Sequence, residues 1–450
     1  MRKNQQLLTQ DIPSLIKQLA IPASTGMFFN TMYNVVDTFY AGLISTQAIA
    51  ALSLSFMIFF LIIGTGYGFS SGITALIGNA FGKKRDKLSV IYAHKGIVFV
   101  PLVGLVIALV GFIFIKDIFM LLGATQGYLQ DALDYVYTIL FGVVFFMANF
   151  ALNAILMAIG DTKSYRNTLI FGFFANIALN PLFIYGFLFI PAMGIKGIAL
   201  ATVLIQCINM VYLFSKVLKT KLIHFERLDY FLPHKKLYMN ILRQGLPASL
   251  NMLAMAIGSL LIVYFVSQYG IYAVAGYGIG FRVEQLMLLP ALGLSTAVLT
   301  LVSNNYGAKQ YERVKETLYC ALKYGFYICL FGVGFLYIFG EFIIKQFDDD
   351  AQVIHYAIEY LLIEVWIFFA FLILFICVAT LQGIKQPKMI FYVALYRQIV
   401  AKFMVGYLIV HYFELDIIWF WIGLLIMIYS AALFLFLYTK KTLSKLNIPI

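Results

Sequence analysis

Asp37 is the only charged side chain between Lys17 and Lys83. Around it the chain reads NTMYNVVDTFYAG, residues 30–42. Asn30, Asn34 and Asp37 recur at i, i+4 and i+7, so on a helix they form one polar stripe, and Tyr33 can join it. Two more asparagine pairs have i, i+4 spacing, Asn149 with Asn153 and Asn176 with Asn180, and Thr202 lies in the next apolar segment. Side-chain oxygens converging from several helices on one carboxylate would suit a small hard cation such as sodium. They would equally suit a carboxyl group enclosed so that it carries a proton. The plainer alternative for the asparagines is hydrogen bonding between helices. For Asp37 it is position: a straight helix from Lys17 would place it roughly 30 Å on, near the outer interface, where a carboxylate costs little.

The second half has no counterpart of Asp37, since position 262 is isoleucine, but it has other isolated charges. Arg282 and Glu284 lie in GFRVEQ, Glu364 follows in a later apolar run, and Arg397 and Lys402 share another. Ions in apolar surroundings pair with one another or face water, so Glu364 with Arg397 or Lys402 is the expected pair. Arg282 and Glu284 are two residues apart and point in different directions on a helix. With Asn34 and Asn153, these five charged residues are candidates for coupling or for lining a substrate cleft.

The elements that hold these residues follow from composition. The 450 residues are 62% hydrophobic and 12% charged, with a mean hydropathy of +0.91. A soluble domain is nearer half apolar and a quarter charged, so the expected class is an all-α polytopic membrane protein. Twelve spans are expected, near 14–40, 47–78, 91–115, 132–159, 166–189, 194–217, 239–267, 273–304, 318–340, 353–382, 389–411 and 416–438. Pro22, Pro181, Pro247 and Pro290 are candidate kinks. Gly64, Gly68 and Gly72 make a small-residue face for close helix packing or sliding.

With twelve spans, alternate loops fall on one side. Counting residues near a span end with the adjoining side, one side with the two tails carries 26 of the 32 Lys and Arg, the other carries Lys116, Lys196 and Lys345, and Arg282, Arg397 and Lys402 lie deeper within spans. The positive-inside rule makes the rich side cytoplasmic, with both termini there. The net charge of +12 is then topology rather than a nucleic-acid footprint. The polar start, MRKNQQLLTQDIPS, lacks an h-region and a small-residue cleavage site, so no cleaved signal peptide is expected. Cys207, Cys320, Cys329 and Cys377 lie in or beside apolar runs and read as small core residues.

Shifting the chain by 225 residues overlays its halves: PAS at 22–24 meets PAS at 247–249, and GNAFGKK at 78–84 meets SNNYGAK at 303–309. At an offset of 223, AIGDTK at 158–163 meets LQGIKQ at 381–386. Each half holds six spans, so the repeat is parallel, with a pseudo-two-fold axis along the membrane normal. The expected domains are a six-helix bundle over 1–215, a cytoplasmic linker over 216–238 and a second six-helix bundle over 239–450. Two such bundles around a cleft suit alternating access. Met57, Phe59, Tyr67 and Met287 lie on the spans that would face that cleft.

At this point the sequence resembles the multidrug and toxic compound extrusion (MATE) family over nearly its whole length. The anchors are VVDTFYAG, GNAFGKK, AIGDTKSYRN, NIALNPLFIYG and GIKGIALATV in the first half. RQGLPAS and GYGIGFRVEQLMLLPALGLSTAVLTLVSNNYGAK carry it in the second, and that last run looks like the branch named for a DNA-damage-inducible member. The resemblance implies a cation-coupled antiporter in a bacterial cytoplasmic membrane that exports organic, often cationic or amphipathic, compounds. It implies no cofactor beyond the coupling proton or sodium ion, and the chain is expected to act as a monomer. Asp37, Asn176, Asn180 and Thr202 match the family's N-terminal cation site and would be the ligands of a sodium ion; Tyr33 matches a tyrosine beside it. Some members have a second aspartate where this chain has Asn180. That departure leaves sodium and proton both open and tilts the reading toward protons. Flippases of lipid-linked saccharides share the wider fold and are the alternative. A membrane-embedded enzyme fares worse, since HExxH, Walker A and GxGxxG motifs are lacking.

Overall fold

A bilayer offers no water to the backbone, so a chain this apolar must satisfy its amides within helices. The computed structural model describes residues 2–124, 126–446 and 448. After a short helix, Arg2–Thr9, come α1 (Ile12–Ile44), α2 (Thr46–Gly82), α3 (Asp86–Leu121), α4 (Gln126–Ala158), α5 (Lys163–Tyr185) and α6 (Ile195–Leu218). The second half gives α7 (Lys235–Val266), α8 (Ile271–Gly307), α9 (Tyr311–Ile344), a broken α10 (Ala351–Glu364 and Ile367–Gly383), α11 (Lys388–Tyr412) and α12 (Ile417–Lys445). These correspond one for one to the twelve expected spans. At 1.5 Å per residue even the 23-residue α5 reaches about 35 Å, enough for a hydrocarbon core of about 30 Å. Among the described residues ten of these helices, or eleven with the bent pair, are long and apolar enough by themselves to cross a membrane, and α1 is not one of them.

The break in α10 was not among the proline kinks expected. Its two segments meet at 51°, and the freed Trp366 carbonyl accepts from the Tyr429 hydroxyl at 2.8 Å. The Trp366 Nε1 donates to the Tyr337 hydroxyl at 3.0 Å. Side chains from α9 and α12 therefore bond the residues at the break, a recognised cause of a bend without proline.

The chain forms two compact units, one of residues 2–5 and Thr25–Ser249, the other of Gln6–Ser24 and Leu250–Ile450. These units depart from the boundaries expected at 215 and 239, because the opening turns of α1 and α7 pack with the other half of the sequence. The linker also belongs to the first unit. The His224 N–H donates to His94 Nε2 at 3.0 Å, and the Lys95 ammonium donates to the Leu232 carbonyl. In the second unit Arg313 donates to the carbonyls of Leu7 at 3.3 Å and Gln10 at 2.7 Å. Leu7 stands 225 residues before Leu232, so each unit fastens the same point of its repeat with a basic side chain.

The repeat is visible in backbone turns. Lys84 and Lys309, 225 apart, both have left-handed φ, 54° and 60°. Both follow a long helix and close it with matching bonds, Arg85 N to Ala80 O and Gln310 N to Asn305 O, each 2.9 Å. Gly160 and Lys385 repeat the device, with φ of 79° and 62°. This corrects the offset of 223 for AIGDTK: the two glycines are alike in type, but the turn itself recurs at 225.

Gly68 allows a close helix approach. A Cβ there would lie 2.2 Å from Ser249 Oγ and 2.6 Å from Ser249 Cα; its repeat mate Gly293 would meet Ser24 Oγ at 1.9 Å. Because backbone atoms are involved, Gly68→Ala is expected to cost about 1–3 kcal/mol, the range for overpacking. The check is a lower melting temperature in detergent. Gly278→Ala, which meets nothing within 4 Å, should leave it unchanged; equal melting for the two variants would refute the tight crossing.

Candidate functional site

The site around Asp37 is built by α1, α5 and α6. Pro181 has no N–H to offer the Ile177 carbonyl one turn back, and the Tyr40 hydroxyl of α1 donates to that carbonyl instead, at 3.0 Å. The bond ties α1 to α5 one turn from Asp37. Phe29 meets Phe173 edge-on at 5.5 Å, which packs the same two helices further along.

Asp37 is 5% exposed, and Asn176 and Asn180 are fully enclosed. The amide nitrogens of Asn176 and Asn180 donate to Asp37 Oδ1 at 2.8 and 3.0 Å. Asn180 Nδ2 also reaches Asn176 Oδ1 at 3.2 Å, as i, i+4 neighbours can. On α6, Thr202 Oγ1 accepts from the Tyr33 hydroxyl at 2.9 Å. Asn180 Oδ1 is buried without a hydrogen-bond partner. The five residues thus occupy one enclosed polar patch, with donors aimed at the carboxylate. A sodium ion fits the residue set but would need oxygens turned inward. Asn180 Oδ1 is the acceptor still free to serve, and a proton needs no such turn.

Tyr135 of α4 is a member that sequence reasoning missed. It is 4% exposed and interacts electrostatically with Asp37 and Tyr33. Among 30 tyrosines nothing in its spacing marks it. Tyr40 was also missed, although Pro181 one turn beyond Ile177 is a signal that some donor must serve that carbonyl.

Other expected residues go elsewhere. Asn34 turns its amide back to the Asn30 carbonyl at 3.1 Å. Asn149 donates to Gln206, to its carbonyl at 2.9 Å and its side chain at 2.8 Å, which links α4 to α6. Asn153 donates to Met157 Sδ at 3.4 Å. Phe59 packs edge-on against Phe146 at 5.8 Å.

In the second unit Arg282 is exposed while Glu284, Glu364, Arg397 and Lys402 are buried. Glu284 accepts from the Tyr360 hydroxyl. The contact pair expected for Glu364 is not present: among the described residues the ion pair within 4 Å is Lys345 with Glu341. The reason is that the Lys402 ammonium lies in the space left by Gly258 of α7, 3.0 Å from where a Cβ would stand.

A family model described as MatE matches residues 22–182 and 247–408, two stretches that begin 225 residues apart. The chain is 29% identical over 418 residues to the "Probable multidrug resistance protein YoeA" of Bacillus subtilis, covering 90% of this chain and 89% of that one. It is 26% identical over 368 residues to the "FAD transporter" of Shewanella oneidensis, covering 81% and 80%. A solved structure of a multidrug resistance MATE family transporter of the MOP superfamily, in an outward-facing conformation, matches with a TM-score of 0.91 and 26% identity over 98% of each chain.

Proposed function

The chain belongs to the MatE family, a family of membrane transporters and not of enzymes, and from that premise we propose that it exports organic compounds by cation antiport with alternating access. Its place is the bacterial cytoplasmic membrane with both termini in the cytoplasm, as the lysine and arginine bias argues. Cationic or amphipathic compounds are the substrate class, in keeping with the multidrug resistance names of relatives. Protons are the coupling ion.

The observation that carries this reading is the Asp37 carboxylate, buried with Asn176 and Asn180 donating to one oxygen. An ionisable group enclosed in a membrane protein marks an ion path by default. A proton can join the second oxygen of Asp37 without displacing either asparagine from Oδ1. Protonation would remove the charge these two amides hold, loosen α5 from α1 and favour release of substrate outward. The donor-rich surroundings and the single carboxylate support protons over sodium.

The test is transport of ethidium into inverted proteoliposomes, with the proton and sodium gradients imposed separately. Uptake should follow the proton gradient and ignore sodium. Uptake driven by sodium alone would overturn the choice of ion, and no uptake under either gradient would favour the saccharide-lipid flippase.

A further inference from the structure

The segment between α6 and α7 carries an exposed apolar patch that the transport reading does not use. Phe225, Leu228 and Leu232 are 56%, 72% and 64% exposed, although the segment is fastened to α3. Leu222 and Ile223 are buried beneath it, and His94 of α3 is fully enclosed. His94 accepts the His224 N–H at Nε2, 3.0 Å away, and so donates from Nδ1 to the Val90 carbonyl at 2.8 Å. Its ring meets Tyr230 and Phe231 edge-on at 5.5 and 4.7 Å. The Lys95 ammonium holds the Leu232 carbonyl. The three apolar side chains are therefore turned outward by a backbone held in place.

The internal repeat supplies a control. Leu7, the repeat mate of Leu232, also has its carbonyl held by a basic side chain, Arg313, yet Leu7 is 3% exposed. The residue 225 before Leu228 is Lys3. The same point of the repeat can thus be built without turning leucines outward. The surroundings say what covers them in the linker. The segment joins two spans, so it lies at a membrane surface. Phe225 meets Phe214 of α6 edge-on at 6.2 Å, and α6 exposes Leu204, Ile208, Val211 and Leu218 along one face. The patch therefore continues the apolar surface of a span. Residues 216–243 hold seven Lys and Arg against two acids, Glu226 and Asp229. Arg227 lies over the Tyr230 ring at 5.9 Å. Lys235 and Lys236 are exposed in the first turn of α7, where the helix itself gains nothing from cations. Apolar side chains set among cations at a membrane surface are the chemistry of a segment that lies in the interface and meets anionic lipid.

We propose that this segment is a binding surface for anionic phospholipid. Phe225, Leu228 and Leu232 enter the acyl boundary of the leaflet, the cytoplasmic one by the lysine and arginine bias. Arg227, Lys235 and Lys236 meet the headgroup phosphates. His94 and Lys95 act as positioning residues, because they hold the backbone that presents the patch. The proposal goes beyond the transport reading and depends on neither the substrate nor the coupling ion.

The test is tryptophan fluorescence of full-length Leu228→Trp in nanodiscs, with the wild-type emission subtracted. The discs hold equimolar phosphatidylglycerol and phosphatidylcholine, and either one or the other carries bromine on its acyl chains, so the composition is the same in both arms. The added emission should be quenched, with brominated phosphatidylglycerol at least about twofold more effective than brominated phosphatidylcholine. Adding Arg227→Gln, Lys235→Gln and Lys236→Gln together should leave quenching in place and bring the ratio to about one. Phe225→Trp is an independent reporter and should behave in the same way. Absence of quenching with red emission would overturn the proposal, since the patch then faces water. Blue emission without quenching would overturn it too, since protein, such as a second copy of the chain, then covers the patch. Equal quenching by the two lipids, or a preference that survives the three substitutions, would overturn the recognition of anionic headgroups.

Discussion

Asp37→Asn is expected to lower gradient-driven ethidium export by roughly 5- to 150-fold, the span that 1–3 kcal/mol of lost coupling produces. The substitution is close to isosteric. The new side-chain oxygen can still accept from Asn176 and Asn180, which reach Oδ1 at 2.8 and 3.0 Å, so the fold is kept, with these bonds in their weaker uncharged form. What is lost is the ability to exchange a charge. Asparagine neither takes a proton at physiological pH nor balances a sodium ion, so the ion gradient no longer acts on this site. Export is measured at matched expression, with the melting temperature as a control for folding. Undiminished export by a normally folded variant would show that Asp37 is structural and would remove the basis for coupling at this site.

Much of this site was legible because one helical period governs it. An isolated carboxylate in an apolar run must be used or hidden, and i, i+4 asparagines on another span must face one direction. Which direction was not legible. Asn149 and Asn153 have the same spacing as Asn176 and Asn180, yet Asn149 turns to Gln206, because neighbouring helices and not spacing choose the partner. Tyr40 acts only where the missing N–H of Pro181 leaves a carbonyl open, a relation between two helices. The break in α10 has no proline and depends on Tyr429 and Tyr337 from other spans. The twelve spans themselves were readable, since apolar length alone sets them. The assignment of the opening turns of α1 and α7 to the other unit was hidden, because covalent order does not record packing.

Asn180→Asp tests what the departure from other family members means. The atom 3.0 Å from Asp37 Oδ1 changes from an amide donor to a carboxylate oxygen. Two like charges so close cannot both ionise without a counter-ion, as paired aspartates show. They must share a proton or admit a cation between them. Asn176 remains as a donor to Asp37, and Asn180 Oδ1, already buried without a partner, becomes a charged ligand. The variant is therefore expected to gain a sodium-driven component of ethidium transport, about fivefold or more above that of the wild type under the same sodium gradient. Asp37→Asn with Asn180→Asp provides the internal check. It returns one carboxylate to the same enclosed patch, moved by about a hydrogen-bond length, and should recover proton-driven export that Asp37→Asn alone lacks. Sodium indifference in the single variant would mean that the charge count at this site does not choose the ion. Failure of the double variant to recover, with the single variant active, would mean that the position of the carboxylate on α1 matters beyond its presence, because α1 is then the helix that must feel the proton.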